Sequence, residues 1–309
     1  MKIGYFGLPL GAYLLIRDGH ELDPCVLSPI EAPGRRRVKT QIAAERLVNA
    51  RGASAQATHQ KIKNALDRAR PELLVSWFWT RLLPAEWLEA ARFGGVGVHP
   101  SLLPRHRGPN PYFWTIDSGD RDAGVTLHAL APEYDTGAIL LQRAIPVGER
   151  NAWQLARALD RPSLALLREG TRGFADGTPT AATTQREADA TWAPEPTGRE
   201  LGVEWTWTTE RVLRRIRALS PVPGLAIEVR GVRCFITRAR AAVRFVTALE
   251  PGEAAVIGES ETLVIRTADG AIAVERAVLG SADESDDDAT LELSEHALAR
   301  AIELAARGP

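Results

Sequence analysis

The sequence has 309 residues, which is long for a single hydrophobic core and favours two domains. Hydrophobic residues make up 45% and charged residues 25%, as in ordinary globular proteins, and a net charge of -1 gives no overall attraction to nucleic acid or membranes. Two distant cysteines exclude a disulfide framework and a cysteine-based zinc site. No apolar stretch reaches the roughly 18 residues of a membrane span, and no signal cleavage site follows the N-terminal apolar run. We therefore expect a cytoplasmic protein that is neither secreted nor inserted in a membrane.

The beginning of the chain predicts a β-α-β unit. Residues 2–6 and 22–27 are strand-like, and residues 12–17 are helical, which is typical of a parallel sheet. The glycines between the first strand and the helix do not fit G-x-G-x-x-G, and no acidic ribose partner follows the second strand. A tight strand-to-helix turn is therefore favoured over dinucleotide binding.

A basic cluster follows this unit. Arg35, Arg36, Arg37 and Lys39 lie in a segment flanked by proline and glycine that runs into a predicted helix at residues 38–51. Such a cluster suits phosphates or an RNA backbone. A solvated basic loop explains it equally well at this stage.

An aromatic trio ends the next predicted strand. A helix at residues 60–68 precedes an apolar strand at residues 72–78, and Trp77, Phe78 and Trp79 stand together at its end. Neighbours on a strand face opposite ways, so only one side of the trio can belong to the core. Core packing and a wall that binds a planar ring both remain open.

Two ionisable residues follow the central predicted strands. A strand at residues 94–98 delivers His99, and a strand at residues 124–130 precedes the acidic turn that carries Asp135. Ligands of open α/β sheets bind beyond the carboxyl ends of strands, so the two side chains are expected to share a site suited to proton transfer. Ser101 lies nearby without the G-x-S-x-G pattern of a serine hydrolase. Taken singly, His99 and Asp135 each have an ordinary structural explanation.

The second half of the chain changes character. An amphipathic helix at residues 151–176 precedes a segment rich in Thr, Ala, Pro and Glu, which is typical of a linker. A basic helix at residues 208–219 and several short strand-like runs suggest a small sandwich or barrel. An acidic loop at residues 283–288 and a helix at residues 294–306 follow. The predicted division is a domain at 1–177, a linker at 178–202 and a domain at 203–309.

The combination of motifs is more specific than any single residue. HPSLLPRHRG, a helix rich in proline and aromatic residues, GVTLH and DTGAILLQ occur in this order. In this order and spacing the sequence resembles the folate-dependent formyltransferases, above all the methionyl-tRNA formyltransferase group, over nearly all of residues 1–280. The resemblance implies a Rossmann-like α/β domain with a parallel sheet, followed by a small OB-like β-barrel domain. It also implies 10-formyltetrahydrofolate as the formyl donor, an amine as the acceptor and no metal.

Site residues follow from the same resemblance. It implies that the acceptor amine attacks the formyl carbon to give a tetrahedral intermediate, that His99 stabilises the oxyanion, and that Asp135 orients the site and moves a proton. The residues implied to shape the site or to bind the folate are Trp79, Arg81, Leu82, Val98, Ser101, Leu102, Leu103, Glu133 and Tyr134.

One position departs from the family pattern. The pattern has an asparagine two residues before His99, and this chain has Gly97. Losing one oxyanion donor typically costs about 100- to 1000-fold in rate, or about 3 to 4 kcal/mol. We hypothesise that Asn110, in the same loop system, supplies a catalytic replacement. Altered one-carbon chemistry and binding without turnover are the alternatives.

The sequence leaves two classes of acceptor open. Arg35, Arg36, Arg37 and Lys39 lie where the methionyl-tRNA enzymes carry a basic insertion, and the second-domain helix adds arginines, which favours tRNA. The near-neutral net charge, the acidic loop and Gly97 favour a small amine, such as an amino sugar or a natural-product intermediate. Two other classes remain open: a hydrolase that releases formate from a formyl-folate, and a noncatalytic homologue that binds folate or RNA.

Overall fold

The computed structural model describes residues 1–49, 55–229, 231–258, 261–279 and 292–294, and it divides the chain into two compact units. Each unit is assembled from separate stretches of the chain. The first unit comprises Met1–Pro111, Asp122–Ile145 and Ala158–Ala193, and the second comprises Tyr112–Arg121, Pro146–Arg157 and Pro194–Pro309.

A seven-stranded sheet organises the first unit. Its strands are β1 (Lys2–Gly7), β2 (Glu21–Leu27), β3 (Leu47–Asn49), β4 (Leu73–Trp77), β5 (Gly95–His99), β6 (Asp122–Ala129) and β7 (Ile139–Pro146). The order is β3-β2-β1-β4-β5-β6-β7, and the neighbours from β3 to β5 pair in parallel. β6 runs antiparallel to β5. The predicted Rossmann-like class is confirmed, with its topological switch between β1 and β4.

The helices before β7 are mostly those that the apolar periodicity predicts. They are α1 (Pro9–Arg17), α2 (Arg35–Lys39), α3 (Ala55–Ala69), α4 (Ala85–Ala90) and α5 (Pro111–Asp117), and α6 (Ala152–Ala175) follows β7. On α3, Ile62, Leu66 and Ala69 are buried at a helical spacing, which is why this segment forms a helix against the sheet.

The predicted helix at residues 38–51 is wrong over its described part. α2 ends at Lys39, a single 3₁₀ turn spans Ala44–Arg46, and β3 begins directly after it. Leu47 and Val48 pair in parallel with Cys25 and Val26 of β2. Edge pairing with an existing sheet satisfies the backbone here, and it overrides the weak local preference for helix.

The aromatic trio is split between two faces of the sheet. Trp77 is 3% exposed, and its Nε1–H donates to Ser163 Oγ of α6 at 2.5 Å. The chain then turns at Phe78, whose φ is +54°, so Trp79 packs edge-to-face on Phe6 in the core on the opposite face. Trp77 is therefore a core residue, Trp79 is partly buried against the core, and Phe78 is the member left 36% exposed.

The second unit contains an antiparallel sheet, as predicted. Its strands are β8 (Leu225–Val229), β9 (Val232–Ala241), β10 (Ala254–Ile257), β11 (Thr262–Arg266), β12 (Ala271–Leu279) and β13 (Glu292–Ser294), preceded by α7 (Thr209–Leu219). The path is β10-β11-β12-β9-β8, and β13 pairs with β12. The predicted acidic loop lies outside the described residues, and so does the predicted C-terminal helix beyond Ser294. Within the described ranges, no helix has the length and apolar content to cross a membrane.

Candidate active site

A carboxylate between two histidine rings forms the centre of the site. Asp135 Oδ2 lies 3.4 Å from Nδ1 of His99, at the end of β5, and its Oδ1 lies 3.7 Å from Nε2 of His128 on β6. His99 is 7% and His128 is 4% exposed, so both rings are shielded from water. The backbone N–H of Gly108 donates to Asp135 Oδ2 at 2.9 Å, which fixes the carboxylate.

The hydrogen bonds on the far side of each ring determine which nitrogen carries a proton. His99 Nε2–H donates to the carbonyl of His106, and His128 Nδ1–H donates to the carbonyl of Ala129, each at 2.8 Å. Burial lowers the pKa of His128 to about 4, and Asp135 only partly opposes this shift. A neutral ring of this tautomer turns a lone pair toward Asp135. A proton that reaches this cluster can therefore lie between an oxygen of Asp135 and the facing nitrogen of either histidine. Such paired acceptors allow the cluster to take up a proton and to release it again.

The two predicted residues meet, but not by the predicted route. Because β6 is antiparallel to β5, Asp135 does not follow a strand end adjacent to His99. The chain folds back after Ala129, and Asp135 adopts a left-handed φ of +59°. A Cβ on Gly137 would lie 1.8 Å from the carbonyl oxygen of Ala129, so only glycine permits this close return.

The loop after β5 is anchored by neighbouring strands. Ser101 Oγ–H donates to the carbonyl of Arg105 at 2.6 Å, and Thr126 on β6 donates to the carbonyl of Ser101 at 2.7 Å. Thr126 also accepts from the N–H of Leu103 at 3.1 Å, and Gln142 on β7 donates to the carbonyl of Leu103 at 2.8 Å. These bonds hold the backbone that carries His99 and the predicted loop residues.

Gly97 is closely surrounded by the side chains of Leu130 and His128. It pairs with His128 across β5 and β6. A Cβ at this position would lie 2.9 Å from Leu130 Cδ2 and 3.6 Å from His128 Nε2. Leu130 packs against the apolar core beneath the sheet. An added Cβ would therefore have to displace the end of the Leu130 side chain, and it would lie in contact with His128.

The other predicted residues flank this centre on three loops and on β5. Trp77 pairs with Val98, so the loop after β4 starts at the same edge of the sheet as His99. The backbone N–H of Asn110, two residues after Gly108, donates to the carbonyl of Ala193 at 3.0 Å. The loop after β4 carries Trp79, Arg81 and Leu82, β5 carries Val98, the next loop carries Ser101, Leu102, Leu103 and Asn110, and the loop after β6 carries Glu133 and Tyr134.

His128 is a site residue that the sequence interpretation missed. It is the last residue of the GVTLH motif, which supports the family resemblance. The sequence interpretation gave this histidine no role. Among the described residues, no group of His, Cys, Asp and Glu side chains is arranged to hold a metal ion.

Residues 183–193, inside the predicted linker, also contact the site. Gln185 Nε2 donates to the carbonyls of Asp135 and Gly137, each at 2.7 Å. Thr191 Oγ1 accepts from the N–H of His106 at 2.8 Å. The domain boundaries stay a prediction, but this stretch contributes directly to the first unit, and its composition did not reveal that.

The basic residues differ in how their charges are matched. On α2, Arg36, Arg37 and Lys39 are exposed, and the Arg37 guanidinium lies 5.3 Å from the Tyr13 ring centroid. Arg35 donates to the carbonyl of Ser28. The arginines of α7 pair instead with carboxylates of the second unit: Arg211 and Arg215 with Asp117, Arg214 with Glu210, and Arg217 with Glu149.

The sequence comparisons define the class of this fold and site. The family profile described as Formyl transferase matches residues 25–160, and that described as Formyl transferase, C-terminal domain, matches residues 198–286. The chain belongs to the formyl transferase family, whose chemistry is folate-dependent formyl transfer, and the predicted resemblance is confirmed. It is 32% identical over 268 residues to the methionyl-tRNA formyltransferase of Anaeromyxobacter dehalogenans (strain 2CP-1 / ATCC BAA-258), covering 83% of this chain and 85% of that protein.

Solved structures share the fold at lower identity. HypX from Aquifex aeolicus, in complex with tetrahydrofolic acid, matches with a TM-score of 0.65 at 21% identity over 100% of this chain and 48% of its own. The sugar 3N-formyl transferase WlaRD, in the presence of dTDP and 5-N-formyl-THF, matches with a TM-score of 0.65 at 15% identity over 89% of this chain and 97% of its own.

Proposed function

We propose that this chain transfers a formyl group from 10-formyltetrahydrofolate to an amine, with Asp135, His99 and His128 as the proton-handling centre. The observation that carries this proposal is the Asp135 carboxylate between two buried rings whose facing nitrogens are acceptors in their neutral forms. When bound, 10-formyltetrahydrofolate supplies the formyl group and leaves as tetrahydrofolate.

The roles follow from the proton balance. A bond forms between the amine nitrogen and the formyl carbon, the bond from that carbon to the folate nitrogen breaks, and one proton must pass from the first nitrogen to the second. Asp135 takes this proton, shares it with Nδ1 of His99, 3.4 Å away, and returns it to the folate nitrogen as the bond from the formyl carbon to that nitrogen breaks. A cationic His99 then stabilises negative charge on the formyl oxygen. His128, neutral because burial keeps its pKa at about 4, is a second acceptor beside Asp135.

The loop after β4 has side chains suited to a planar heterocycle. Phe78 is 36% and Leu82 is 41% exposed at the sheet edge next to His99, and Tyr134 beside Asp135 is 44% exposed. Trp79 behind them is partly buried, and its indole Nε1 has no hydrogen-bond partner among the described residues. Exposed apolar and aromatic side chains of this kind are typical of a pocket for a flat ring. We propose that Trp79, Arg81, Leu82, Val98, Ser101, Leu102, Leu103, Glu133 and Tyr134 line the donor side.

A donor assay tests the reaction. The full chain is incubated with 10-formyltetrahydrofolate, with and without a candidate amine, and both tetrahydrofolate and formylated amine are quantified. Amine-dependent release of both supports transfer. Formate release without amine would instead indicate a hydrolase, and binding without release a noncatalytic homologue. Asp135→Asn is expected to reduce transfer by about 100-fold or more, because it removes the proton acceptor. Unchanged transfer in that variant would overturn the assignment.

For the acceptor, we propose the amino group of methionyl-tRNA. The cations of α2 are exposed on the surface, where an RNA backbone can reach them, and the relatives at about 30% identity are methionyl-tRNA formyltransferases. Phosphate contacts by Arg36 and Arg37 predict binding that weakens steeply with salt.

A small amine is the second candidate, and the charge pairing on α7 favours it. The four arginines of that helix pair with three carboxylates, since Arg211 and Arg215 share Asp117, so α7 offers less net attraction to RNA than its sequence indicates. The fold is also shared with a sugar 3N-formyl transferase. A nucleotide-linked amino sugar is therefore the alternative substrate class.

A salt titration distinguishes the two candidates. Arg36→Ala/Arg37→Ala is expected to weaken binding of methionyl-tRNA and to lower the slope of log K against log salt by about 1 to 2. The matched control, Lys63→Ala/Arg143→Ala, removes two partly exposed cations that pair with carboxylates, and it should leave the slope unchanged. Salt-insensitive tRNA binding, together with formylation of an amino sugar, would favour the second candidate.

A further inference from the structure

Gln185 makes four hydrogen bonds within the first unit. Its Oε1 accepts from Nε and Nη2 of Arg107 at 3.0 and 2.8 Å, and its Nε2 donates to the carbonyls of Asp135 and Gly137, each at 2.7 Å. The side chain is 7% exposed. Both amide hydrogens and both oxygen lone pairs are therefore used, which is the full capacity of a glutamine.

The orientation of this amide is set by its partners. Arg107 can only donate, so the glutamine oxygen must face it and the NH₂ group must face the two carbonyls. Arg107 is in turn held by Glu187, with bonds of 2.9 and 2.8 Å to the two carboxylate oxygens. The chain of contacts runs from an exposed carboxylate, through a buried guanidinium and a buried amide, to the backbone of Asp135.

The Asp135 backbone needs such support. Its φ of +59° lies in the left-handed region, which is uncommon for residues with a side chain although aspartate tolerates it better than most. The Gly108 N–H binds only the carboxylate end, so the backbone end depends on other contacts. Without the two bonds from Gln185, the turn can relax, and the carboxylate then moves relative to the rings of His99 and His128.

We propose that Gln185 is a positioning residue for formyl transfer, which fixes the Asp135 turn so that its carboxylate stays between the two histidines. This inference rests on the proposed function for its catalytic consequence. Gln185 needs no contact with either substrate, because it acts through the backbone of Asp135.

Gln185→Met tests this role, since methionine keeps the length of the side chain and removes its hydrogen bonds. The turnover number is expected to fall about 10- to 100-fold while the KM for the donor changes less than about threefold, because displacement affects the reacting geometry more than binding. In an Asp135→Asn background, Gln185→Met should have no further effect on turnover. Thr184→Ala, at an exposed neighbouring position, is the control and should match the wild type.

Two further measurements keep the test decisive. If Gln185→Met does not fold, Glu187→Ala removes a 75% exposed carboxylate that orients Arg107, and it should lower turnover a few-fold without unfolding the chain. The ¹⁵N resonances of the His99 imidazole at neutral pH should shift in the Gln185 variant, since they report the carboxylate beside Nδ1. This second readout needs no activity, so failure of the proposed reaction is distinguishable from failure of the positioning role. Wild-type turnover with wild-type imidazole resonances, or equal losses in both Asp135 backgrounds, would overturn the proposal.

Discussion

Replacing Gly97 by asparagine tests whether the glycine is required by packing or is only a missing catalytic donor. The new Cβ would lie 2.9 Å from Leu130 Cδ2, closer than real Cβ contacts permit. Overpacking typically costs about 1 to 3 kcal/mol, and the blocking atom here is the end of a partly buried side chain that can rotate, so we expect Gly97→Asn to lower the free energy of unfolding by about 1 kcal/mol. The further substitution Leu130→Ala removes the blocking methyl group.

The double-mutant cycle gives the magnitude to be measured. If the clash is the cause, the two substitutions together should cost about 1 kcal/mol less than the sum of their separate effects. The Cβ of the new side chain would lie 3.6 Å from His128 Nε2, beside the proposed reaction centre. We therefore also expect the double variant to transfer formyl groups up to about 100-fold faster than Leu130→Ala alone.

The assays are urea unfolding and amine-dependent tetrahydrofolate release on the same four proteins. Gly202→Asn is the matched control, because the nearest atom to its Cβ is 3.7 Å away, an ordinary contact. If the double variant lost as much stability as the two single variants together, within about 0.5 kcal/mol, the steric explanation for Gly97 would be refuted. Unchanged turnover in the double variant would refute the view that a lost amide donor limits this site.

Three predictions concern buried polar contacts. Asp117→Asn should lower the free energy of unfolding, measured in urea, by about 3 to 5 kcal/mol. Asp117 pairs with Arg215 at 2.7 Å, and both side chains are no more than 6% exposed. The substitution would leave the buried arginine without its counter-charge. Burial alone would raise the pKa of Asp117, but hydrogen bonds from Arg215 and Arg211 outweigh it and lower the pKa. Because the folded-state pKa of Asp117 lies below the ordinary 3.8, the stabilisation by its charge is complete above pH 3.8 and is lost as the pH falls through the lowered pKa. The difference in the free energy of unfolding between the wild type and Asp117→Asn should therefore narrow only in acid. Trp77→Phe should cost about 1 to 3 kcal/mol, because it leaves Ser163 Oγ without its 2.5 Å donor.

Matched controls separate burial from charge. Glu169→Gln breaks an exposed pair with Arg143 and should cost less than about 1 kcal/mol, so a similar small cost for Asp117→Asn would contradict the argument from burial. If the difference in the free energy of unfolding between the wild type and Asp117→Asn widened in acid, the predicted direction of the pH dependence would be wrong. In the Ser163→Ala background, Trp77→Phe should cost about 1 kcal/mol less than in the wild type, because the hydrogen bond is already absent.

Local patterns in the sequence were sufficient for most of the architecture. Apolar runs such as residues 73–77 predicted the strands, because a buried strand needs apolar side chains on both faces. The order of HPSLLPRHRG, GVTLH and DTGAILLQ was sufficient for the family, since these motifs are specific in combination. The missed strand β3 depends on pairing with β2, which leaves little trace in its own three residues.

Contacts between distant residues were decided only by the tertiary structure. Two of the four arginines predicted on α7 pair with Asp117, which lies 94 residues before Arg211 in the chain. Gln185 reaches Asp135 across 50 residues from a segment whose composition predicted a linker. His99 and Asp135 were recognisable from the sequence as candidate partners. Strand direction and packing, which no local pattern encodes, decide three further contacts. They bring His128 to Asp135, place Leu130 against Gly97, and let Gln185 bind the backbone of the Asp135 turn.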